Sequence, residues 1–200
     1  MIIDFDLNVN TYEDFFSGKC KLTKYICPKC GCIHLVKHAS YQRNLVIFKD
    51  NSFCDEKINI IRLICPSCNS THAVLPNDIV PYCIYSFSLI LHILCEYYVS
   101  DNSVLWIASK FNISFQLMYS FITRFLTFFY ECIQCLKILE ILLPENITTS
   151  LVAKNIYDYM HKGNNFLKSF LTNFRWCFLM IKFHNMKSPP VYVGMANKVT

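Results

Sequence analysis

Cys27-Pro28-Lys29-Cys30-Gly31 and Cys65-Pro66-Ser67-Cys68-Asn69 are two CPxC knuckles in the first half of a 200-residue chain. A structural zinc ion takes four ligands at tetrahedral corners. A two-residue gap lets both thiolates of one knuckle reach the same ion while nearby backbone N–H groups stabilise their charge. The spacing therefore predicts one structural Zn2+ held by Cys27, Cys30, Cys65 and Cys68. Between the knuckles run the apolar stretches Ile33-His34-Leu35-Val36, Leu45-Val46-Ile47-Phe48 and Ile58-Asn59-Ile60-Ile61-Arg62-Leu63-Ile64. They read as strands clamped at one end by metal, the pattern of a zinc ribbon.

The chain has 12 cysteines, and two rival chemistries compete for them. Disulfides are disfavoured because the opening Met1-Ile2-Ile3-Asp4-Phe5-Asp6 shows neither a basic n-region nor an apolar signal core, so a cytoplasmic location with reduced thiols is expected. A redox role would suit one CxxC beside a βαβ pattern, whereas two knuckles joined by strand-like sequence suit metal. Cys32, His34, Cys54 and His72 are spare ligands close to the knuckles, any of which could replace a member of the set. His72 is read first as a hydrogen-bond partner of a cysteine sulfur or a carbonyl. Cys83, Cys95, Cys132, Cys135 and Cys177 fall in apolar helical sequence and read as core filler.

The composition, 54% hydrophobic and 16% aromatic, supplies a real core and raises the question of a membrane. The uncharged stretch Tyr82 to Cys95 is short of the roughly 18 residues needed to span a bilayer, and Glu96, Arg124, Glu131, Lys137 and Glu140 interrupt the apolar sequence beyond it. No membrane partner is expected. The net charge of +5 is uneven, with nine Lys or Arg against three acids over residues 19–62 and seven against two over 144–200. Both ends suit a polyanion, although a charge run is also what a solvated face looks like.

The fold class expected is α+β, a small N-terminal β-rich zinc ribbon followed by an all-α region. Residues 1–18 are acidic and aromatic and read as a lead-in segment, the ribbon occupies 19–81, and a helical domain runs over 82–185 before an irregular tail at 186–200. Pro76 and Pro81 mark the exit from the ribbon. Helical periodicity predicts one helix from Ser86 to Tyr98 and a long one from Ser114 through Leu139 to about Leu143, stopped by Pro144. It predicts two more at Leu151–His161, stopped by Lys162-Gly163, and from Phe166, capped by Asn164 or Asn165, to about Phe183.

Residues 103–124 fit a helix-turn-helix. Small Ala108 sits where two helices cross, Asn112 takes the turn position that wants a left-handed residue, and Ile107, Phe111, Ile113, Met118 and Phe121 fall on the shared core face. Ser114 is a natural N-cap. At the start of the second helix Ser114, Phe115, Gln116, Tyr119, Ser120 and Arg124 would then face a DNA major groove, with Gln116 able to read an adenine edge. Lys37, Arg43 and Lys49 on the ribbon strands could touch phosphates. Tyr41, in His38-Ala39-Ser40-Tyr41, reads as a turn residue packed on the ribbon. An ordinary helical hairpin is the competing reading of residues 103–124.

The succession of both knuckles, His38-Ala39-Ser40-Tyr41-Gln42-Arg43, Thr71-His72-Ala73-Val74-Leu75-Pro76 and Val80-Pro81-Tyr82-Cys83-Ile84-Tyr85-Ser86 resembles an uncharacterised, DUF6431-like family of small clostridial proteins related to transposase N-terminal regions. The resemblance covers roughly residues 25–125. It implies a zinc ribbon paired with a helix-turn-helix, Cys27, Cys30, Cys65 and Cys68 as ligands, and DNA recognition connected with mobile elements. Ala39 and Asn69 stand where such a family has glycine.

A strand-transfer enzyme would need carboxylates presented by a mixed α/β domain to hold two metal ions, and Asp101, Glu131, Glu140, Glu145 and Asp158 are scattered through helical sequence. The expectation is a non-catalytic protein with double-stranded DNA as partner, no small-molecule substrate and a homodimer suited to two-fold targets. A zinc-stapled protein-interaction module using its aromatic helices is the alternative.

Overall fold

The computed structural model describes residues 1–17, 22–49, 52–100, 102–163, 165–174 and 177–180. The fold is mixed α+β, and the described residues divide into two compact units, one over Met1–Ile79 and one over Val80–Met180.

The first unit is built on a four-stranded sheet in the order β1-β4-β3-β2. Its strands are β1 (Ile2–Asp4), β2 (Val36–Lys49), β3 (Ser52–Ile64) and β4 (Thr71–Pro76). The apolar stretches between the knuckles belong to one long antiparallel hairpin, with β2 beginning at Val36 rather than Ile33. His38-Ala39-Ser40-Tyr41, expected as a turn, is instead part of β2. The register shifts between Lys37 and Ala39, and Tyr41 is exposed. A bulge changes the parity of side chains along a strand, so the alternation here does not look like strand sequence.

Residues 1–17, expected as a lead-in, are built into this unit. β1 adds in parallel beside β4, with Ile2 opposite Val74, and α1 (Val9–Ser17) packs on β3. The Tyr12 side chain is fully buried. Its hydroxyl donates to the Val74 carbonyl at 2.6 Å and accepts from the Ile61 N–H at 2.9 Å. The β3–β4 ladder pairs Arg62 with Ala73, so Ile61 and Val74 are the next rung. The tyrosine oxygen bridges the two strands where direct pairing ends. Glu13 accepts from the backbone and side-chain N–H groups of Asn59 at 3.1 and 3.0 Å, fixing α1 over the same strand. Buried Asp4 takes the Tyr25 hydroxyl at 2.7 Å and the Lys24 ammonium at 2.5 Å, which ties β1 to the segment entering the first knuckle.

The second unit is helical. Its described elements are α2 (Phe87–Val99), α3 (Val104–Lys110), α4 (Phe115–Thr127), α5 (Phe129–Ile138), α6 (Thr149–His161) and α7 (Phe166–Phe174). Serine or threonine caps open four of them. Ser86, Ser103, Ser114 and Thr148 accept from the N–H groups of Leu89, Trp106, Leu117 and Leu151. Asn165 supplies the cap bond of α7. The helix expected to run on to about Phe183 ends at Phe174, and Cys177–Met180 form a turn with Leu179 at φ 62° instead of continuing it. Asn164 and the tail 186–200 lie outside the described residues. The long helix expected through to Leu143 is two helices. α4 ends at Thr127, Phe128 takes a non-helical φ of −109°, and α5 ends at Ile138 ahead of Glu140 at φ 58°. Fully buried Phe121, Phe125, Phe128, Cys132 and Cys135 keep the helical spacing across the break, so periodicity alone does not reveal it.

Candidate metal centre and helical surface

The two knuckles adopt the same local fold. In the first, the Cys27 N–H donates to the Cys32 carbonyl and the Gly31 N–H to the Cys27 carbonyl. In the second, the Cys65 N–H donates to the Ser70 carbonyl and the Asn69 N–H to the Cys65 carbonyl. Each turn needs a left-handed residue after its second cysteine, and Gly31 at φ 75° and Asn69 at φ 54° supply it. Asparagine is among the few non-glycine residues that take this conformation readily.

These turns bring the Sγ atoms of Cys27, Cys30, Cys65 and Cys68 within 4.8 Å of one another. Cys27 to Cys68 is 3.6 Å and Cys30 to Cys65 is 3.5 Å. Zinc–sulfur bonds of about 2.3 Å at tetrahedral corners place sulfurs about 3.8 Å apart, so the cluster fits a four-thiolate metal centre with little adjustment. Its donors are soft and include no carboxylate, which suits zinc and excludes calcium and magnesium. Of the four, Cys27 and Cys65 are buried and Cys30 is exposed. Desolvation pushes the Cys65 thiol up to about 12. The Ser70 hydroxyl and amide, with weaker help from other sulfurs, pull the Cys68 thiol down to about 6. A metal ion displaces the remaining thiol protons, so loading releases protons.

His72 is buried on β4 with Nε2 3.3 Å from the Cys27 sulfur, the hydrogen-bonding position read from the sequence. Burial lowers its pKa, which favours the neutral ring. The other spare candidates lie outside the cluster. The Cys32 sulfur accepts the His34 N–H at 3.4 Å, His34 is exposed, and Cys54 sits in β3 close to the hairpin end.

The residues proposed from sequence for DNA fall into separate sets. On the hairpin, the register places Lys37 on the face shared with Leu63 and Arg43 on the face shared with Ile58. Those faces are opposite, since the pairs Leu63 and Ile58 differ by an odd number of positions along β3. Lys49 ends β2, and its side chain lies outside the described residues. On the helices, α3 and α4 are joined through Phe111 to Ser114, with Asn112 at φ 48° and the Ile113 N–H bonded to the Ala108 carbonyl at 2.9 Å. Ile107, Ala108, Phe111, Met118 and Phe121 are buried between them and their neighbours, whereas Ser114, Phe115, Gln116 and Tyr119 are exposed and Ser120 is half-buried. Arg124 is not a free surface cation. Its Nε and Nη1 are buried with no hydrogen-bond partner among the described residues. From Asn102 to Thr127 the sequence has no acid, only Lys110 and Arg124 as charges.

A family model described as a domain of unknown function, DUF6431, matches residues 27–105. The match starts at the first cysteine of the cluster and takes in the second knuckle and α2. It ends on the second residue of α3, ahead of the turn and of α4. The match takes in all four cysteines of the cluster and leaves α4 outside it. No curated protein and no solved structure matches the chain. Among the described residues no helix is long and apolar enough to cross a membrane.

Proposed function

We propose that this chain is a non-catalytic, zinc-dependent DNA-binding protein in which the cysteine cluster is the core of a zinc ribbon and α3–α4 is a helix-turn-helix. The observation that carries the reading is the opening of α4. Ser114 caps it, Asn112 makes the tight turn before it, and Ser114, Phe115, Gln116 and Tyr119 stand exposed together on an acid-free segment. A helix N-terminus presented in this way can enter a major groove, where the Gln116 amide can pair with adenine N6 and N7. Four thiolates fill the coordination of a tetrahedral ion and leave no position for a reacting water, which favours a structural over a catalytic zinc. By its resemblance to transposase N-terminal regions the protein is an accessory factor or regulator of a mobile element, acting as a homodimer on two-fold sites.

The test is fluorescence anisotropy with duplex DNA at two salt concentrations. Wild-type chain binds with salt-sensitive affinity, and Gln116→Ala/Tyr119→Ala weakens binding to preferred sequences by roughly tenfold or more without altering zinc content, since a bidentate base contact contributes about 1–3 kcal/mol. Binding that is indifferent to both changes overturns the helix-turn-helix reading.

A second reading rests on the same surface. Leu105 is 68% exposed, Trp106 47%, Phe115 46% and Tyr119 54%, an apolar display that suits a protein partner. One zinc per chain with no duplex binding would favour that zinc-stapled interaction module.

A further inference from the structure

The long hairpin of the sheet unit has two unlike faces. β4 pairs with β3 over Arg62 to Ile64, so from Asn59 to its tip the hairpin is, among the described residues, a ribbon of two strands. Cross-strand partners share a face. Leu45, Ile58 and Ile60 lie on one face and are buried. The other face sets Ser40 opposite Ile61, Gln42 opposite Asn59 and Asn44 opposite Lys57, and of these only Ile61 is buried. α1 covers the root of this polar face, where Glu13, Phe16 and Ser17 meet Lys37, Asn59 and Ile61 across a cleft and Glu13 holds Asn59. Gln42 lies across from that point, and Asn44 and Lys57 lie nearer the tip. The surroundings suit an anion. β2 carries Lys37, Arg43 and Lys49 and no acid, and residues 19–49 hold seven Lys or Arg with no Asp or Glu.

We propose that the polar face of this hairpin is a second DNA-reading surface, which lies in a major groove and meets base edges through Gln42, Asn44 and Lys57. The inference takes duplex DNA as partner from the reading above and does not depend on α4. A major groove about 12 Å wide admits a two-stranded ribbon. Same-face residues of a strand repeat about every 6.7 Å, close to the rise of two base pairs, so Gln42 and Asn44 meet the stacked bases in step. The amides of Gln42 and Asn44 can each pair with adenine N6 and N7, and the Lys57 ammonium with guanine O6 and N7. Asp55, exposed on the same face one pair further out, can accept from cytosine N4. Lys37, at the root of that face, is placed for a phosphate, which positions the ribbon without reading sequence.

Duplexes enriched from a pool of randomised sequence by the zinc-loaded wild-type chain provide the probe, read by fluorescence anisotropy. Gln42→Ala/Asn44→Ala weakens binding to them by roughly tenfold or more, while affinity for unselected duplex changes little. Enrichment repeated with that variant loses the preference for adenine at the positions those amides read, and Lys57→Ala loses a preference for guanine. The three side chains are exposed, so zinc content and circular dichroism stay at wild-type values. Gln42→Glu, which keeps the side-chain volume, gives the same loss should the alanines disturb the strand. Gln116→Ala/Tyr119→Ala, measured alongside, separates the two surfaces. Undiminished affinity and preference in the hairpin variants, with the α4 variant weakened, overturns the hairpin site alone. Loss in the hairpin variants and none in the α4 variant upholds the hairpin site and overturns the helix-turn-helix. A chain that enriches no duplex overturns both.

Discussion

From Met1 to Ile79 the buried tyrosines are tied by polar bonds, Tyr12 to two backbone groups and Tyr25 to Asp4, and the knuckles converge on four sulfurs. In the helical unit the described interior is apolar, with phenylalanine rings packed on one another among leucines and isoleucines. Phe178 alone meets the rings of Phe87, Phe125, Phe128, Phe166 and Phe170 at centroid separations of 5.1 to 6.1 Å. The sheet unit is specified by a small number of directional contacts and a four-cysteine cluster fit to hold a metal ion. The helical unit is specified by apolar area, which is non-directional and spread over many residues. The first should therefore fail abruptly when one contact is lost, and the second by degrees.

Metal removal tests this most severely. Zinc binding at structural sites contributes about 10–16 kcal/mol at neutral pH, comparable with or larger than the roughly 5–15 kcal/mol total stability of a domain. With Cys65→Ser/Cys68→Ser, or with a strong chelator, β3 and β4 lose amide-exchange protection while the far-UV signal of α2 to α7 stays. Protection that persists across β3 without metal would show that the sheet is held by its apolar core alone, and the contrast between the units would dissolve.

Next in size is Phe178→Ala. Removing the ring at the meeting point of five others costs about 3–5 kcal/mol through lost transfer energy and the cavity left behind. Denaturant unfolding of the helical signal moves accordingly, and zinc content does not. A loss of zinc in this variant would show that the two units are not independent.

How much of this was legible in the sequence depended on whether local chemistry or distant packing decides each element. The knuckles were legible because Cys27, Cys30, Gly31, Cys65, Cys68 and Asn69 carry their own turn geometry, and the cap at Ser114 because a hydroxyl acts within three residues. Asn112 at φ 48° was legible for the same reason. The break at Phe128 was not, since the residues flanking it contain neither proline nor glycine and the apolar spacing runs through it. Nor was the place of β1, which pairs with β4 some seventy residues away in sequence, or of α1, which packs on β3. The bulge after Lys37 hid only the His38–Tyr41 part of β2, by shifting the alternation on which strand reading relies. Among the candidate site residues, Arg124 could be placed on α4 from periodicity, but the burial of its Nε and Nη1 depends on packing that sequence spacing does not report.

The smallest change that separates the two units is Tyr12→Phe. The ring stays and its packing against Phe16 at 5.0 Å is preserved, so no cavity opens. The variant loses one oxygen that accepts from Ile61 and donates to Val74. Both backbone groups are left facing each other across a gap where β3 and β4 have begun to separate, and each buried group without a partner costs about 1–3 kcal/mol. The expected result is a destabilisation of about that size, read as faster exchange at the Ile61 amide and a lower melting temperature for the sheet unit with zinc still bound. Removing a phenol oxygen should be nearly silent if apolar area governs this unit as it governs the helical one. A variant with unchanged exchange at Ile61 would show that β3 and β4 can close the rung directly, and would move the sheet unit toward the physics of its neighbour.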